Sequence, residues 1–240
     1  MSTFILVHGA WHGGWCWYKL AARLRAAGHV VLCPDLPGHG LDRTPIAEVT
    51  MAAYVERITQ ELDAAEEPVV LVGHSMGGAV VTQATEERPE RVRHLVYIAA
   101  FAPGDGQSVL QLARADPDDR LGKTMVFAAD RKSITLKPET IRGSFYADCP
   151  DEDLALAQSL LVPQSPAPLG ATLRVSAERW GRVPRSYVEC TQDMAVSIGA
   201  QRTMPGRSGC VKVHTLETGH SPFLAAPDRV AEILKGIAKA

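Results

Sequence analysis

Short apolar runs recur along the chain and alternate with amphipathic segments. Each run has the length of a buried strand and is bounded by turn-forming or charged residues. The predicted strands cover residues 4–7, 30–33, 69–72, 92–99, 186–189 and 211–216. Apolar strands that alternate with helices predict an α/β fold with a mostly parallel sheet and helices on both of its faces.

The segments between these strands carry helical patterns. Residues 17–27 have an apolar stripe that ends before Gly28, a typical residue beyond a helix C-terminus. In residues 50–66, Met51, Tyr54 and Ile58 fall on one face, and charged residues fall on the other. Further helices are predicted over 76–87, near 197–204 and from Pro227 onward.

The alternation stops between residues 103 and 184, after the fourth predicted strand. This stretch contains Gly-Asp-Gly and Asp-Pro-Asp-Asp turns, a helical segment at 151–161 and a proline-rich segment at 162–168. We interpret it as a mainly helical cap over the site. Residues 1–102 and 185–240 then form the core, and the whole chain is one structural domain.

Composition narrows the possible partners and surroundings. The 240 residues carry a net charge of −2 without a basic patch, which argues against nucleic acid as a partner. The first residues run directly into a strand and no stretch could span a bilayer, so we expect no membrane association and a cytoplasmic location. The five cysteines lack metal-ligand spacing, so neither disulfides nor a metal site are expected. Oligomeric state is left open.

A glycine-flanked serine follows the third predicted strand. Residues 73–77 read Gly-His-Ser-Met-Gly, the G-x-S-x-G pattern of a nucleophile elbow, which holds a serine on a tight strand-to-helix turn. Ser75 is therefore the candidate nucleophile. Taken alone, the pentapeptide fits equally well an ordinary glycine-rich turn with a serine at the helix start.

A serine nucleophile needs a histidine base and a carboxylate that orients it. Asp193 follows the fifth predicted strand and His220 follows the sixth, so both belong to the sheet edge that carries Ser75. Each has a structural alternative, since Asp193 could be a turn residue and His220 a residue at a helix start. Together, the order Ser75, Asp193, His220 predicts a catalytic triad.

Two main-chain N–H groups are expected to stabilise the oxyanion. Met76 follows the nucleophile, and Ala10 lies in the glycine-containing loop after the first strand. That loop could instead be a simple connector. Trp11 and His12 come next in the loop and are possible substrate contacts, although loop packing explains them equally well.

Five segments together resemble the α/β-hydrolase branch that contains plant methylesterases, hydroxynitrile lyases and bacterial carboxylesterases. They are HGAWHGGWCWYKL at 8–20, GHSMGG at 73–78, DEDLALA at 151–157, VECTQD at 188–193 and GH at 219–220. The resemblance covers nearly the whole chain. It implies the α/β-hydrolase fold, no cofactor, a helical cap and a small, short-chain or aromatic ester as substrate. It also implies Ser75, Asp193 and His220 as the triad, with Ala10 and Met76 as oxyanion donors.

The same branch offers two other functions. Its lyases typically place a threonine in the first loop and a lysine after the catalytic histidine, where this chain has Gly9 and Ser221. Ester hydrolysis is therefore favoured over cyanohydrin cleavage. A small-molecule binding protein on the same fold is the remaining alternative.

Overall fold

The computed structural model describes residues 1–118 and 120–239. Along the chain, its strands are β1 (Thr3–Val7), β2 (Val30–Leu32), β3 (Val69–His74), β4 (Val92–Ile98), β5 (Met125–Phe127), β6 (Ile134–Leu136), β7 (Arg185–Cys190) and β8 (Lys212–Leu216). All except β5 and β6 form one parallel sheet in the order β2-β1-β3-β4-β7-β8. The strand order reverses between β1 and β3, and ligands bind open α/β sheets at the carboxyl ends of such strands.

Helices cover both faces of this sheet. They are α1 (Tyr18–Ala26), α2 (Met51–Ala64), α3 (Gly77–Glu87), α4 (Val109–Arg114), α5 (Pro138–Phe145), α6 (Asp151–Leu160), α7 (Pro166–Gly170), α8 (Ile198–Ser208), α9 (Pro222–Ala225) and α10 (Pro227–Ile237). Helix α1 packs against α10, and α2 packs against α3. Every residue of β3 and β7 is buried, as expected for strands with packed helices on both sides.

The predicted fold class is confirmed, and most predicted elements lie within two residues of their predicted ends. Helix α8 is an exception, because it continues four residues beyond the predicted Met204. Pro205 lies inside it, and the helix ends at Ser208 because Gly209 adopts a left-handed conformation with φ of +67°. Proline weakens a helix by removing one N–H donor, but here it does not end it.

The segment between β4 and β7 is mixed, as the sequence predicts, but it also contains a hairpin that the sequence does not predict. Strands β5 and β6 pair antiparallel, and Ile134 also pairs with Gln164. Helices α4 to α7 make up the rest of the regular structure in this segment. The boundaries of the cap at residues 103 and 184 stay a prediction.

Helix length and hydropathy also bear on membranes. Over the residues described, none of the helices is both long enough and apolar enough to cross a bilayer.

Candidate active site

The chain turns sharply at Ser75, between the end of β3 and the start of α3. An added Cβ at Gly73 would lie 2.7 Å from the main-chain oxygen of Gly77, and one at Gly77 would lie 2.5 Å from that of His8. Neither position has room for a side chain. The two glycines of the G-x-S-x-G pattern therefore allow the turn and the close approach of the loop after β1.

Backbone strain is concentrated at one edge of the sheet. Four non-glycine residues among those described have positive φ, and three of them follow the carboxyl ends of β1, β3 and β4. These are Trp11 at +63°, Ser75 at +53° and Ala99 at +44°. Such conformations cost about 1–3 kcal/mol each and cluster at functional sites. The strain therefore points to the edge at which the candidate nucleophile lies.

Asp193 and His220 follow β7 and β8, and their side chains are in contact. Nδ1 of His220 lies 2.7 Å from Oδ2 of Asp193, and both side chains are buried. Because a carboxylate can only accept, Nδ1 is the donor. The opposite ring nitrogen, Nε2, is then the one that can take up a proton.

The carboxylate of Asp193 is held by three further hydrogen bonds. The main-chain N–H groups of Ala195 and Val196 donate to Oδ1 at 2.7 and 2.9 Å, and Nε2 of Gln201 donates to Oδ2 at 3.0 Å. Hydrogen bonds to an ionised acceptor are among the stronger ones in proteins. They fix the orientation of the carboxylate and, through it, the imidazole of His220.

His74 supports His220 from the side of the elbow. Its Nε2 donates to the main-chain oxygen of His220 at 2.9 Å, and the two ring centroids are 4.6 Å apart. Burial lowers the pKa of His74 well below its usual value, and the nearby ring of His220 lowers it further. His74 is therefore neutral at neutral pH, with its proton on Nε2.

Ser75 lies at this junction with 8% of its surface exposed. Within the described part of the chain, its hydroxyl has no hydrogen-bond partner, and the structure records none between Ser75 and His220. The backbone on either side is fixed, since Phe101 and Gly78 both donate to the Ser75 carbonyl at 3.1 Å. The structure thus places the three predicted triad residues at one sheet edge and joins two of them directly.

The two predicted oxyanion donors lie on either side of Ser75. Ala10 and Met76 are both buried, and neither main-chain N–H has an acceptor among the residues described. Gly9 brings the first loop against Ser75, since an added Cβ there would lie 2.8 Å from Cβ of Ser75. Met76 also precedes α3, whose positive dipole end favours negative charge at this place.

Two neutral histidines hold the loop that contains Ala10. Nδ1 of His8 bonds the oxygen of Gly9 at 2.8 Å, and Nδ1 of His12 bonds that of Ala10 at 2.7 Å. Burial lowers the pKa of His8 well below its usual value and lowers that of His12 to about 4. Both rings therefore act as neutral donors to this loop.

The two predicted substrate contacts in the loop, Trp11 and His12, form hydrogen bonds with other residues of the protein. Trp11 is buried, and its Nε1 donates to the oxygen of Ile134 at 2.9 Å. The other ring nitrogen of His12, Nε2, lies 2.5 Å from the hydroxyl of Tyr146. The polar atoms of both side chains are thus already used, and their contact with a substrate stays a prediction.

Two phenylalanine residues, Phe145 and Phe101, contact the triad candidates. The ring of Phe145 meets that of His220 edge to face, with centroids 5.5 Å apart. Phe101 donates its main-chain N–H to Ser75 and lines a small recess with Leu121. The ring of Trp180 lies away from the triad candidates, because it stacks on Arg185 at the opposite end of β7.

A larger recess of about 500 Å³ lies away from these residues. Its lining includes Thr3 and Arg93, at the amino ends of β1 and β4, and Pro68, just before β3. The triad candidates are all at the carboxyl ends, so this recess is not their pocket. In the described ranges, no group of three or more His, Cys, Asp or Glu side chains could hold a metal ion.

Three residues that support the site are not marked by any pattern in the sequence. Gln201 bonds Asp193, Tyr146 contacts His12, and Asp148 accepts from the N–H of Gly219 at 2.7 Å, directly before His220. Tyr146 and Asp148 lie 134 and 71 residues from their partners along the chain. No local motif marks such long-range contacts.

Comparison with known proteins adds independent findings. A family model described as "Alpha/beta hydrolase family" matches residues 4–233. The chain is 32% identical to Methylesterase 7 of Arabidopsis thaliana, over 99% of this chain and 96% of the relative. It is 34% identical to Salicylic acid-binding protein 2 of Nicotiana tabacum, over 98% of this chain and 96% of that protein.

A solved structure is also similar to this chain over its full length. The crystal structure of polyneuridine aldehyde esterase superposes with a TM-score of 0.90 at 29% sequence identity, covering 99% of each chain. The similarity therefore extends over the complete sheet, its helices and the segment between β4 and β7.

Proposed function

The chain belongs to the alpha/beta hydrolase family, and we propose that it is a carboxylesterase in which Ser75, His220 and Asp193 form the catalytic triad. The observation that carries this proposal is the buried 2.7 Å contact between His220 and Asp193, at the same sheet edge as the strained Ser75 turn. A serine, a histidine base and a carboxylate that orients it are the groups with which many serine hydrolases transfer acyl groups. Relatives named methylesterase and esterase support the same class of reaction.

The proposed reaction begins when Ser75 Oγ attacks the ester carbonyl and its proton passes to Nε2 of His220. The carbonyl oxygen becomes negative and accepts hydrogen bonds from the N–H groups of Ala10 and Met76. The tetrahedral intermediate collapses, the bond to the alcohol breaks, and His220 returns the proton to the departing alkoxide. Asp193 keeps the imidazole oriented and stabilises its charged form.

The second half of the reaction repeats these roles with water. His220 takes a proton from water as the water oxygen attacks the acyl-enzyme, and the same two N–H groups hold the new oxyanion. Collapse releases the carboxylic acid, and the proton goes back to Ser75 Oγ. No cofactor takes part in these steps.

We propose small esters with short-chain or aromatic acids as substrates. The ring of Phe145 lies edge to face against His220, and Phe101 is bonded to Ser75 through its main chain. Aromatic rings favour apolar and aromatic groups in edge-to-face or stacked contact. The methylesterase name of a relative agrees with a small alcohol group.

The segment 103–184 is proposed to act as the cap of this pocket. The main-chain N–H of Val162 donates to the oxygen of Trp11 at 3.0 Å, and Trp11 in turn donates to Ile134. Both partners come from the segment, and both contacts fall on the loop after β1. The segment is thus attached directly beside the proposed oxyanion donors. A cytoplasmic location stays a prediction.

Cyanohydrin cleavage is disfavoured by the residues around His220. The position after His220 is Ser221, which is fully buried and carries no charge that could stabilise departing cyanide. Small-molecule binding without turnover is the other alternative, and the name of the tobacco relative is consistent with it.

The test is the initial rate of hydrolysis across p-nitrophenyl esters of increasing acyl length and several aromatic methyl esters. Ser75→Ala is measured alongside, with Ser159→Ala on the exposed side of α6 as the matched serine control. We expect turnover that disappears in Ser75→Ala and persists in Ser159→Ala. Equal rates in wild type and Ser75→Ala, or cleavage of mandelonitrile without ester hydrolysis, would contradict the proposal.

A further inference from the structure

The proposed oxyanion donor Ala10 lies between two main-chain carbonyl groups that are each bonded to an imidazole. His8 bonds the oxygen of Gly9, which shares a peptide group with the Ala10 N–H, and His12 bonds the oxygen of Ala10 itself. A hydrogen bond onto a carbonyl polarises its peptide group and strengthens the N–H on the other side. His8 thus acts on the peptide group that carries the Ala10 N–H, and His12 holds the next peptide group, so the two rings together fix the backbone on both sides of Ala10.

This loop needs such restraint because its backbone is strained. Trp11, the next residue, has a φ of +63°, which a residue with a large side chain rarely adopts. An oxyanion donor must stay within roughly 0.5 Å of its productive position to be effective. Relaxation of the loop at Trp11 would turn the neighbouring peptide groups and displace the Ala10 N–H.

The two imidazoles keep their proton on Nδ1 for different reasons. Nε2 of His8 accepts the main-chain N–H of Leu36 at 3.1 Å, a partner within the core. Nε2 of His12 lies 2.5 Å from the hydroxyl of Tyr146, just beyond the end of α5. The Ala10 carbonyl can only accept, so Nδ1 of His12 is the donor and the Tyr146 hydroxyl must donate to Nε2.

We propose that His12 and Tyr146 are positioning residues, through which the segment between β4 and β7 sets the geometry of the oxyanion hole at Ala10. This inference rests on the proposed esterase function. Tyr146 is completely buried, so its hydroxyl has no water to replace this contact. Without the Tyr146 proton, His12 can shift its own proton to Nε2. The lone pair on Nδ1 would then face the Ala10 oxygen and repel it.

Three variants test the two hydrogen bonds of His12 separately. Tyr146→Phe removes only the hydroxyl. His12→Asn keeps a donor near the place of Nδ1 but has no second nitrogen for Tyr146, and His12→Ala removes both groups. Because His12→Asn no longer uses Tyr146, adding Tyr146→Phe to it should have no further effect on kcat.

The matched control is Tyr18→Phe. The Tyr18 hydroxyl donates to Asp153 at 2.5 Å and also joins the core to the segment between β4 and β7, but it does not touch the loop at Ala10. Removal of the Tyr18 hydroxyl therefore shows how the loss of a tyrosine hydrogen bond to this segment affects folding and the position of the segment, without a change at the Ala10 loop.

The measurements are kcat and KM for a p-nitrophenyl ester and the inhibition constant of phenyl trifluoromethyl ketone. This ketone adds to the serine and places a true oxyanion at Ala10, whereas KM reflects mainly binding of the neutral ester. We expect Tyr146→Phe to lower kcat roughly tenfold and His12→Ala roughly 100-fold, with little change in KM. The inhibition constant should rise by the same factors. Tyr18→Phe should stay within about threefold of wild type, and His12→Asn should recover most of the activity that His12→Ala loses.

Two results would overturn the inference alone. One is an active wild type whose kcat and ketone affinity are unchanged in Tyr146→Phe, and the other is an equal loss in Tyr18→Phe. A wild type whose ester turnover does not depend on Ser75 would overturn the proposed function and this inference together. Turnover that depends on Ser75 therefore separates the two failures.

Discussion

His74 donates a hydrogen bond from Nε2 to the main-chain oxygen of His220 at 2.9 Å, so the residue before the proposed nucleophile fixes the backbone of the proposed base. Neither side chain reaches solvent, and no exposed group can take over this contact. The relationship links the elbow after β3 to the loop after β8. The relative position of Ser75 and His220 depends on it.

Replacement of His74 should therefore lower turnover. His74→Phe keeps an aromatic ring in the core but loses the donor, and we expect kcat to fall roughly tenfold or more. His74→Gln retains an N–H near the place of Nε2 and should recover most of the rate. Steady-state kinetics on one ester checks both variants, and a His74→Phe enzyme with the kcat of wild type would show that the contact is dispensable.

A side chain at Gly9 should disable the site without unfolding the protein. An added Cβ would lie 2.8 Å from Cβ of Ser75, which would force the first loop away from the proposed nucleophile. We expect Gly9→Ala to lower kcat roughly 100-fold, as loss of one oxyanion donor does. Gly236→Ala is the matched control, because that glycine lies in α10 with open space around its added Cβ. Comparable kinetics for the two variants would refute this reading.

Buried histidines make the fold sensitive to acid. Burial lowers the pKa of His12 from 6.5 to about 4, and burial together with Arg93 lowers that of His94 to about 4. Between pH 6.5 and pH 4, these histidines bind protons in the unfolded chain but not in the folded one. The free energy of unfolding therefore decreases as the pH falls through this range. For fully buried His12, a shift from 6.5 to about 4 corresponds to about 3 kcal/mol.

Urea unfolding at several pH values measures this effect. We expect the urea midpoint to be constant above pH 7 and to fall below pH 6. In His12→Asn the fall should be less steep, because about one proton fewer is taken up on unfolding. Unfolding midpoints that do not change between pH 7.5 and pH 5 would contradict the assignment of buried neutral histidines.

The buried carboxylate of Asp153 should contribute more to stability than a surface carboxylate with similar partners. Asp153 bonds both Tyr18 and Lys19 at 2.5 Å and joins α6 to α1. Asp153→Ala leaves these partners without their acceptor, which costs about 2–3 kcal/mol of the free energy of unfolding.

Asp228 provides the control, since its bonds to Arg23 lie at the exposed surface. We expect Asp228→Ala to leave the unfolding midpoint nearly unchanged, because exposed ion pairs are weak and screened by salt. Chemical denaturation of both variants makes the comparison, and equal losses would argue against a structural role for the Asp153 cluster.

The sequence predicts the sheet and the placement of Asp193 and His220 because both depend on short-range patterns. Apolar runs mark the parallel strands, and a parallel sheet carries the ends of all its strands at one edge. Two residues 27 positions apart in the chain are thereby expected to meet, and the structure joins them at 2.7 Å. The sequence order of the strands is enough for that inference.

The β5–β6 hairpin could not be predicted in the same way. Its turn contains Arg131 in a left-handed conformation with φ of +57°, a position where glycine or asparagine is the usual signal. The strands are only three residues long, and Val126 and Phe127 are exposed, so no clear alternation marks them. Tyr146 escapes prediction for another reason, because its role depends on a contact with a residue 134 positions away.

The central claim is that Ser75 is the nucleophile, and its covalent labelling tests that claim most directly. Diethyl p-nitrophenyl phosphate transfers its phosphoryl group to an activated serine and releases p-nitrophenol. Mass spectrometry of the intact and digested protein should find one diethylphosphoryl group per chain, on Ser75. Esterase activity should fall in proportion to the labelled fraction of the protein. Ser75→Ala should remain unlabelled. Labelling at another residue, or full activity in a protein labelled at Ser75, would contradict the proposed mechanism.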